Sequence, residues 1–420
     1  MTAPHALHRP HGAAPDDRLG TGAVVGVGAA LAVLCAAALA VRSRIFFTVG
    51  FENAGNMVGN LWLALQFATM VAGVIAIHTA PRRAALAILI AEGAVCLVAY
   101  GAVGVIYGAG VLAWYGLWSA RWLGRARPVL ALVGLVALNA CGFIGGALAE
   151  DALVFSMMFA LRLILFAWDR WQNDLERAPL VEYLAYMLPA PLVIVPPYLI
   201  IIPVFSGFLG RFRPGLTARG VRQIVRHAGF AMLFGALRGV ADLSGIDPGG
   251  GVAWLYWWFA ANVLAAAAYA HLFIALLLLH GIHERLPLDR PLLTTRFVSY
   301  WSRFQVHQKD AQVLLFFTPA LLRLRRWNRY VAIAAATTWT MIVGNTLLHL
   351  ASRYCFLPAT WHRVRWLLAT NVVIAAALAI EMCIDEWRSR RAAMGLRVGS
   401  RLPGWIGWAI TMTLAAMASI

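Results

Sequence analysis

Apolar runs long enough to cross a lipid bilayer recur along the whole chain. The hydrocarbon core is about 30 Å thick, so a helix needs roughly 20 mostly apolar residues to cross it. Runs of this kind lie at residues 21–41, 60–80, 84–105, 107–120, 127–148, 152–168, 180–206, 225–241, 252–281, 329–351, 364–383 and 403–420. Because lipid offers no hydrogen-bond partners to the backbone, such runs favour helices. The sequence predicts an all-α polytopic transmembrane bundle of about 11 or 12 helices.

The composition excludes an ordinary soluble globular domain. Hydrophobic residues make up 61% of the chain and charged residues only 13%, with a mean hydropathy of +0.73. No segment of the size of a soluble domain separates the apolar runs. We therefore expect one membrane-embedded domain over residues 21–420. A disordered polar tail over residues 1–20, without a cleavable-signal pattern, is expected before it.

The net charge of +17, from 35 basic and 18 acidic residues, needs an explanation. In a soluble protein it would suggest nucleic acid, but in a membrane protein positive loops orient the helices, so no nucleic-acid partner is expected. The densest basic cluster, Arg211 to Arg226, is predicted to lie on the cytoplasmic side. The five cysteines are scattered through apolar runs, which fits buried small hydrophobic residues better than disulfides or a metal cluster.

Polar residues interrupt one of these apolar runs. In "TTWTMIVGNTLLHLAS", Thr338, Asn345 and His349 are spaced seven and four residues apart. A regular helix would place all three on one stripe of one face. Asn345 and Thr338 are interpreted first as packing groups, and His349 is either an interhelical hydrogen-bonding residue or part of a functional site.

Three stretches, taken in order, resemble the membrane-bound O-acyltransferase family, especially its bacterial alginate O-acetyltransferases and D-alanyl teichoic acid transferases. The first is "VFSMMFALRLILFAWDRWQ" and the second is "PPYLIIIPVFSGFLGRFRP". The third runs from Tyr300 to Leu350 and contains Trp301 and Arg303, then "FFTP", then basic residues, then the helix with His349. The resemblance covers residues 150–351, and the flanking helices match only in hydropathy.

The resemblance implies transfer of a short acyl group, acetyl first, from a thioester to a hydroxyl of a cell-surface saccharide or an envelope-associated small molecule. The enzyme would be a multi-pass protein of the inner (plasma) membrane, surrounded by membrane lipid. Its donor would be an acyl-CoA or an acyl carrier protein on the cytoplasmic side, with no tightly bound cofactor and no metal. A periplasmic esterase-like protein is a possible partner.

The reaction needs a base for the hydroxyl and a donor for the developing oxyanion. His349 is the candidate base, since the pKa of imidazole lies near working pH. Gln305, His307 and Asn345 are candidates for polarising or orienting groups. Gln305 stands four residues after Trp301, whereas His307 matches by its chemistry. Two residues so spaced on a helix point about 200° apart, so only one can face His349, and we favour Gln305 because His307 begins what is predicted to be a solvated loop.

Other polar groups have two interpretations each. Arg162 and Asp169, seven residues apart, are interpreted as internal charge compensation or as the lining of a substrate path. The "HGIHER" sequence at residues 280–285 is predicted to end a helix with solvated side chains. The region Tyr300 to Leu322 is predicted to form a short or re-entrant amphipathic element, because its first half is too polar for lipid and its second half too short to cross it.

Two other classes of function remain open. A family member without activity could act as a scaffold or as an acyl conduit for a separate transferase. A secondary transporter is a weaker alternative, because the two halves show no convincing internal repeat.

Overall fold

The computed structural model describes residues 18–30, 60–98, 101–120, 162–170, 179–189, 205–243, 251–304, 306–324, 326–346, 361–396 and 403–417. These ranges are helical and contain no strand, so the prediction of an all-α chain is confirmed for them. The helices of the first half are α1 (Thr21–Ala30), α2 (Asn60–Thr79), α3 (Arg82–Val98), α4 (Gly101–Ser119), α5 (residues 162–170), α6 (Leu180–Met187), α7 (Phe205–Arg211) and α8 (Ala218–Leu243).

The second half begins with α9 (Gly251–Leu279) and continues through α10 (Phe297–Arg303) and α11 (Val306–Gln312). A π-helix, π1 (Val313–Phe317), joins α11 to α12 (Thr318–Arg323). A second π-helix, π2 (Thr340–Asn345), extends α13 (Arg329–Trp339). The last two helices are α14 (Trp361–Ala393) and α15 (Gly404–Met417).

Most predicted apolar runs contain an observed helix, with two differences in length. The run predicted over 180–206 is not one helix, because α6 ends at Met187 and Leu188 leaves the helical conformation. Pro189 follows, and the residue before a proline disfavours helix. The run predicted over 364–383 belongs to the 33-residue helix α14, which is about 50 Å long. The run at 127–148 lies outside the described residues.

Two of the described helices are long and apolar enough to cross a membrane. They are Phe259–Leu279, within α9, and Arg365–Ala393, within α14. Shorter apolar helices occupy Thr21–Ala30, Ala68–Thr79 and Gly404–Ala416. The described part of the chain therefore contains two membrane-capable helices.

The two largest apolar clusters among the described residues share one helix. The first cluster gathers buried residues of α2 to α7 and the carboxyl-terminal half of α9, such as Phe273. The second gathers the amino-terminal half of α9, including Phe259, with α10, π2, α14 and α15. Helix α8 packs along α9. Since α9 belongs to both clusters, it connects the two halves of the chain.

Helix α9 ends in a Schellman motif. Gly281 has φ +71°, its N–H bonds to Leu278, and the N–H of Ile282 bonds to Leu277. The segment after it pairs with the end of α7, because Phe212 and Ile282 form an antiparallel bridge. The helix end predicted at "HGIHER" is confirmed, and the expectation of solvated side chains there holds for His283 and Arg285 but not for His280 and Glu284. His280 is fully buried, and the Glu284 side chain, which pairs with Arg211, is 1% exposed.

The segment of residues 211–217 also pairs with residues 18 and 19 through backbone hydrogen bonds. Arg18 forms an antiparallel bridge with Thr217, and the N–H of Leu19 donates to Leu216 at 2.8 Å. His78 at the end of α2 accepts a hydrogen bond from the N–H of Gly215. The end of the predicted polar tail, α2 and α9 therefore meet at one segment.

The region from Tyr300 to Leu322 contains short helices. Helix α10 ends at Arg303, and Phe304 is extended, with φ −90° and ψ 121°. A second helical run then continues from α11 through π1 into α12. The break agrees with the prediction of a short element, and its depth in a bilayer stays a prediction.

The π-helix π2 changes which residues share a face. Its wider turn rotates the residues after it relative to those before it. Thr338 is exposed, whereas Thr340 is buried and donates to the carbonyl of Ala336 at 2.7 Å. The predicted single stripe is therefore wrong for Thr338, since Asn345 is buried on a different face.

Candidate functional site

A buried network of amide side chains joins three elements around Asn345. Its Oδ1 accepts hydrogen bonds from Nε2 of Gln308 at 3.0 Å and from Nε2 of Gln312 at 2.5 Å, both on α11. Its Nδ2 donates to Oδ1 of Asn371 on α14 at 2.7 Å, and Asn371 Nδ2 donates to the Thr346 hydroxyl at 2.8 Å. All five side chains are at most 7% exposed. We call these five residues the amide network.

The hydrogen bonds of the amide network run in one direction. Each side chain donates to the next, from the two glutamines through Asn345 and Asn371 to Thr346. The Thr346 oxygen accepts one of these bonds and has a second lone pair for another donor. Thr346 is the last described residue before the gap that contains His349. The network thus ends three residues before the predicted base.

The amide network depends on close contact between the two π-helices. A Cβ atom on Gly344 would lie 2.7 Å from the ring of Phe316, so only glycine fits without a shift of that ring. Single-turn π-helices within α-helices are frequent at functional sites. The contact holds π1 against π2, and π1 follows directly after the glutamines of α11.

His307 lies beside the amide network in sequence but makes a different contact. Its ring is 3% exposed, and Nε2 donates to the carbonyl of Arg285 at 3.1 Å. Burial lowers its pKa to about 4, partly opposed by that hydrogen bond. The prediction that a solvated loop begins at His307 is wrong, because His307 and Gln308 are buried in α11.

Trp301 and Arg303 lie on α10, outside the amide network. Trp301 packs on the second core cluster, whereas the Arg303 side chain is exposed and its carbonyl accepts from the N–H of Asp289.

Helix α10 is bonded to α14 at its first turn. There Glu381 accepts from the N–H of Val298 at 2.7 Å and pairs with Arg296, which also pairs with Asp385. These ion pairs position α10 but bring neither Trp301 nor Arg303 to Asn345.

Two predicted site residues, Gln305 and His349, lie outside the described residues. Described residues flank Gln305 on both sides, whereas His349 lies within residues 347–360. Val306 follows Gln305 and donates its N–H to the carbonyl of Pro287 at 2.9 Å. His349 follows Thr346 by three positions. Of the predicted polar groups, Asn345 is the one that the structure places in the amide network.

Arg162 and Asp169 lie on α5, and both are buried. Arg162 Nη1 donates to the carbonyl of Met187 on α6 at 2.8 Å. Nε and Nη2 of Arg162 have no hydrogen-bond partner among the described residues. The ring of Phe166, between them on α5, packs against Tyr183 and Phe205.

A second buried polar group links α2, α3 and the end of α9. His280 Nδ1 donates to the carbonyl of Leu276 at 2.6 Å, so Nε2 is free to face Glu92, whose Oε1 lies 3.4 Å away. His78 has both ring nitrogens bonded to backbone groups: Nε2 donates to Leu279 at 2.8 Å and Nδ1 accepts from Gly215. His78 is therefore bonded as the neutral Nε2–H tautomer, and the Glu92 carboxylate faces the remaining ring nitrogen of His280.

The loop after α9 carries a charged pair of its own. Arg211 lies 2.5 Å from the Glu284 carboxylate. Burial raises the pKa of Glu284, although Arg211 opposes the shift, and burial together with Arg213 lowers the pKa of His283. Among the described residues, no group of three or more His, Cys, Asp or Glu side chains is gathered as a metal site would require.

Sequence reasoning missed four of the five members of the amide network, which are Gln308, Gln312, Thr346 and Asn371. Gln308 is predicted to lie in a solvated loop, although its spacing of four from Gln312 puts both residues on one helical face. Asn371 is an uncharged amide inside the apolar run of α14. A search for amides inside apolar runs would have found Asn371, since such side chains are costly in lipid unless bonded.

The comparisons with known proteins name no relative. The sequence matches no protein-family model, and no curated protein matches it. The resemblance to membrane-bound O-acyltransferases therefore stays a prediction carried by its motifs. For the described residues, what is shown is an all-helical structure with two membrane-capable helices and a buried amide network that ends at Thr346, three positions before His349.

Proposed function

We propose that the chain is a polytopic, membrane-embedded O-acyltransferase. It moves a short acyl group, acetyl first, from a thioester donor to a hydroxyl of a cell-surface saccharide or an envelope-associated small molecule. The donor is an acyl-CoA or an acyl carrier protein on the cytoplasmic side of the inner membrane. The observation that carries the proposal is the amide network, which ends at Thr346 on the helix predicted to contain the base.

The amide network suits the needs of a histidine base. A base must present a nitrogen lone pair to the hydroxyl, so its other nitrogen must carry the proton and donate it elsewhere. If the helix continues past Thr346, His349 lies one turn further on the same side. An imidazole that donates Nδ1–H to the Thr346 oxygen keeps the Nε2 lone pair for the acceptor. Asn371, which donates to the same oxygen, then acts as a positioning residue.

The reaction balances without a metal or a redox partner. His349 takes the proton of the acceptor hydroxyl while the hydroxyl oxygen attacks the thioester carbonyl. The C–S bond then breaks, and the thiolate leaving group receives the proton from His349. An amide N–H, with Gln305 favoured, stabilises the oxyanion of the tetrahedral intermediate.

A second function, that of a scaffold or acyl conduit, is favoured by one observation. Asn345 uses both lone pairs of its oxygen and one of its N–H groups inside the protein. Such a network also holds transmembrane helices together without any chemistry. The two functions differ in whether the protein itself consumes a thioester.

The test is thiol release from acetyl-CoA, or from an acetylated carrier protein, by the purified chain with an envelope extract as acceptor. We expect His349→Ala to lower turnover by roughly 10²–10⁴-fold, since a positioned base contributes that much. His271→Ala, which removes a half-buried histidine on α9, serves as the matched control and should retain activity. Normal turnover in His349→Ala, with the protein folded, would favour the scaffold.

The same assay separates the two candidates for the polar partner. We expect Gln305→Ala to lower turnover more than tenfold, whereas His307→Ala changes it little because the His307 ring is bonded to the carbonyl of Arg285. The reverse result would assign the site to two histidines. Asn371→Leu should lower kcat and shift its pH profile with little change in KM, because a positioning residue acts through the base.

A further inference from the structure

Arg162 is a fully buried guanidinium in an apolar environment. Its relative exposure is 0%, and it stands at the start of α5, inside the apolar run predicted over residues 152–168. Nearby on the same helix, Leu163, Leu165 and Phe166 are also buried. An ionisable side chain in such a run is costly and points to a function unless it is fully paired.

The hydrogen bonds of Arg162 leave one edge of the guanidinium unused. Nη1 donates to the carbonyl of Met187, where α6 ends. Nε and Nη2 have no partner in the described part of the chain. These two nitrogens form one edge of the planar guanidinium, and from this edge two N–H bonds point in parallel. This edge is the one that binds both oxygens of a carboxylate or a phosphate.

The charge of Arg162 is also uncompensated. Within the described ranges its one hydrogen-bond acceptor is a neutral carbonyl, and no carboxylate lies within ion-pair distance. Asp169 is seven residues further along α5, about 10 Å along the helix axis. The buried guanidinium therefore lacks the partner that a buried charge requires.

The polar groups near Arg162 do not fill that edge, since Tyr186 interacts electrostatically with Arg162 but makes no hydrogen bond to its Nε or Nη2. The Tyr183 hydroxyl donates to the carbonyl of Val111 at 2.8 Å, and Trp114 donates to the carbonyl of Leu163 at 3.0 Å. Arg170, two turns along α5, bonds to the carbonyl of Trp118 and lies over the ring of Phe166. Phe166 and Tyr183 belong to the same buried cluster as Leu163, so the fully buried Arg162 lies in a low-dielectric environment, where an oxyanion is bound strongly.

We propose that the Nε and Nη2 edge of Arg162 binds the carboxylate or phosphate group of a ligand in the first core cluster. The ligand class is an oxyanion that offers two oxygens in one plane to the guanidinium. The site lies on α5 and α6, whereas the amide network lies on α11, π2 and α14. The inference does not rest on acyl transfer, because a transporter or a scaffold could use the same anion site.

The experiment uses the full chain in phosphatidylcholine nanodiscs. Inorganic phosphate and acetate are titrated separately at constant ionic strength, with perchlorate as the balancing anion, and the thermal unfolding midpoint is recorded. We expect saturable stabilisation of the wild type by at least one of the two anions. Arg162→Lys should weaken the apparent affinity tenfold or more, because lysine keeps the charge but lacks the two parallel donors.

Arg170→Lys is the matched control, since Arg170 is on the same helix but is bonded to a carbonyl and a ring. It should bind the anion as the wild type does. Saturable stabilisation that appears only when phosphatidylglycerol replaces part of the lipid, and that Arg162→Lys removes, assigns the oxyanion to a lipid headgroup. The absence of saturable stabilisation in the wild type with every probe overturns the proposal, as does an equal affinity in Arg162→Lys. Neither probe carries a thioester, so this outcome is separate from that of the acyl-transfer assay.

Discussion

His307 is a buried imidazole whose protonation is coupled to folding. The folded protein lowers its pKa to about 4 by burial, whereas an unfolded imidazole titrates near 6.5. Between these values the unfolded chain binds a proton that the folded chain does not. The stabilising contribution is therefore present above about pH 6.5 and is lost as the pH falls towards 4.

We predict that the wild type loses up to about 3 kcal/mol across this window relative to His307→Gln. Glutamine can still donate a hydrogen bond to the carbonyl of Arg285 but cannot titrate. The measurement is the denaturant midpoint of each protein in detergent at several pH values from 7 to 4. Two parallel profiles would show that His307 does not titrate between these states.

At the level of single residues, the sequence predicts polar positions better than it predicts their partners. Asn345 was identified because an amide inside an apolar run is conspicuous. Gln308 and Gln312 were not, because a window of polar residues such as "QVHQKDAQ" is typical of a loop as well as of a helix. Which side chains converge depends on packing between elements far apart in the chain, and local patterns do not contain that information.

The contact between the two π-helices gives a prediction at the level of elements. Gly344→Ala places a methyl group 2.7 Å from the ring of Phe316, so one of the two π-helices must move. Overpacking of this kind costs roughly 1–3 kcal/mol. We expect Gly344→Ala to lower the unfolding midpoint of the wild type and to misalign the amide network.

A double-mutant cycle with Phe316→Ala checks this explanation. With the ring removed, Gly344→Ala should be neutral or stabilising, because alanine favours helix over glycine by about 1 kcal/mol. If Gly344→Ala has the same effect in both backgrounds, the ring is not the cause.

Helices could be predicted from the sequence, but the irregularities within them could not. Apolar runs located α9 and α14, because hydrophobicity and length suffice for long helices. The π-helix at Thr340–Asn345 leaves no hydrophobic signal, since one wide turn does not change the composition of the run. Thr338 was consequently assigned to the wrong face. The end of α6 at Met187 did have a local signal in Pro189, which the length of the apolar run outweighed.

For the whole molecule, the pairing of the segment at the end of α7 with the segment after α9 constrains the membrane topology. The N–H of His283 donates to the carbonyl of Arg211 at 3.0 Å, so the start of α8 and the end of α9 lie at the same end of these helices. Arg219 and Arg285 are both exposed there. We predict that single cysteines at both positions, Arg219→Cys and Arg285→Cys, react with a membrane-impermeant maleimide from the cytoplasmic side.

The measurement compares intact spheroplasts with inverted membrane vesicles, in a background without the native cysteines. Labelling of the two positions from opposite sides would contradict the pairing of the segments. Labelling of both positions in intact spheroplasts would keep the pairing and reverse the orientation.

The hydrogen bond from His78 to Leu279 has a consequence for biosynthesis. The two bonded residues are 201 positions apart in the sequence. At a synthesis rate of about 5–20 residues per second, α2 waits roughly 10–40 s for that partner to leave the ribosome. During this time Glu92 on α3 also lacks His280, so α2 and α3 each carry a polar group without its later partner. Nascent chains that end before Leu279 should therefore remain bound to insertion chaperones, and release should follow the emergence of α9.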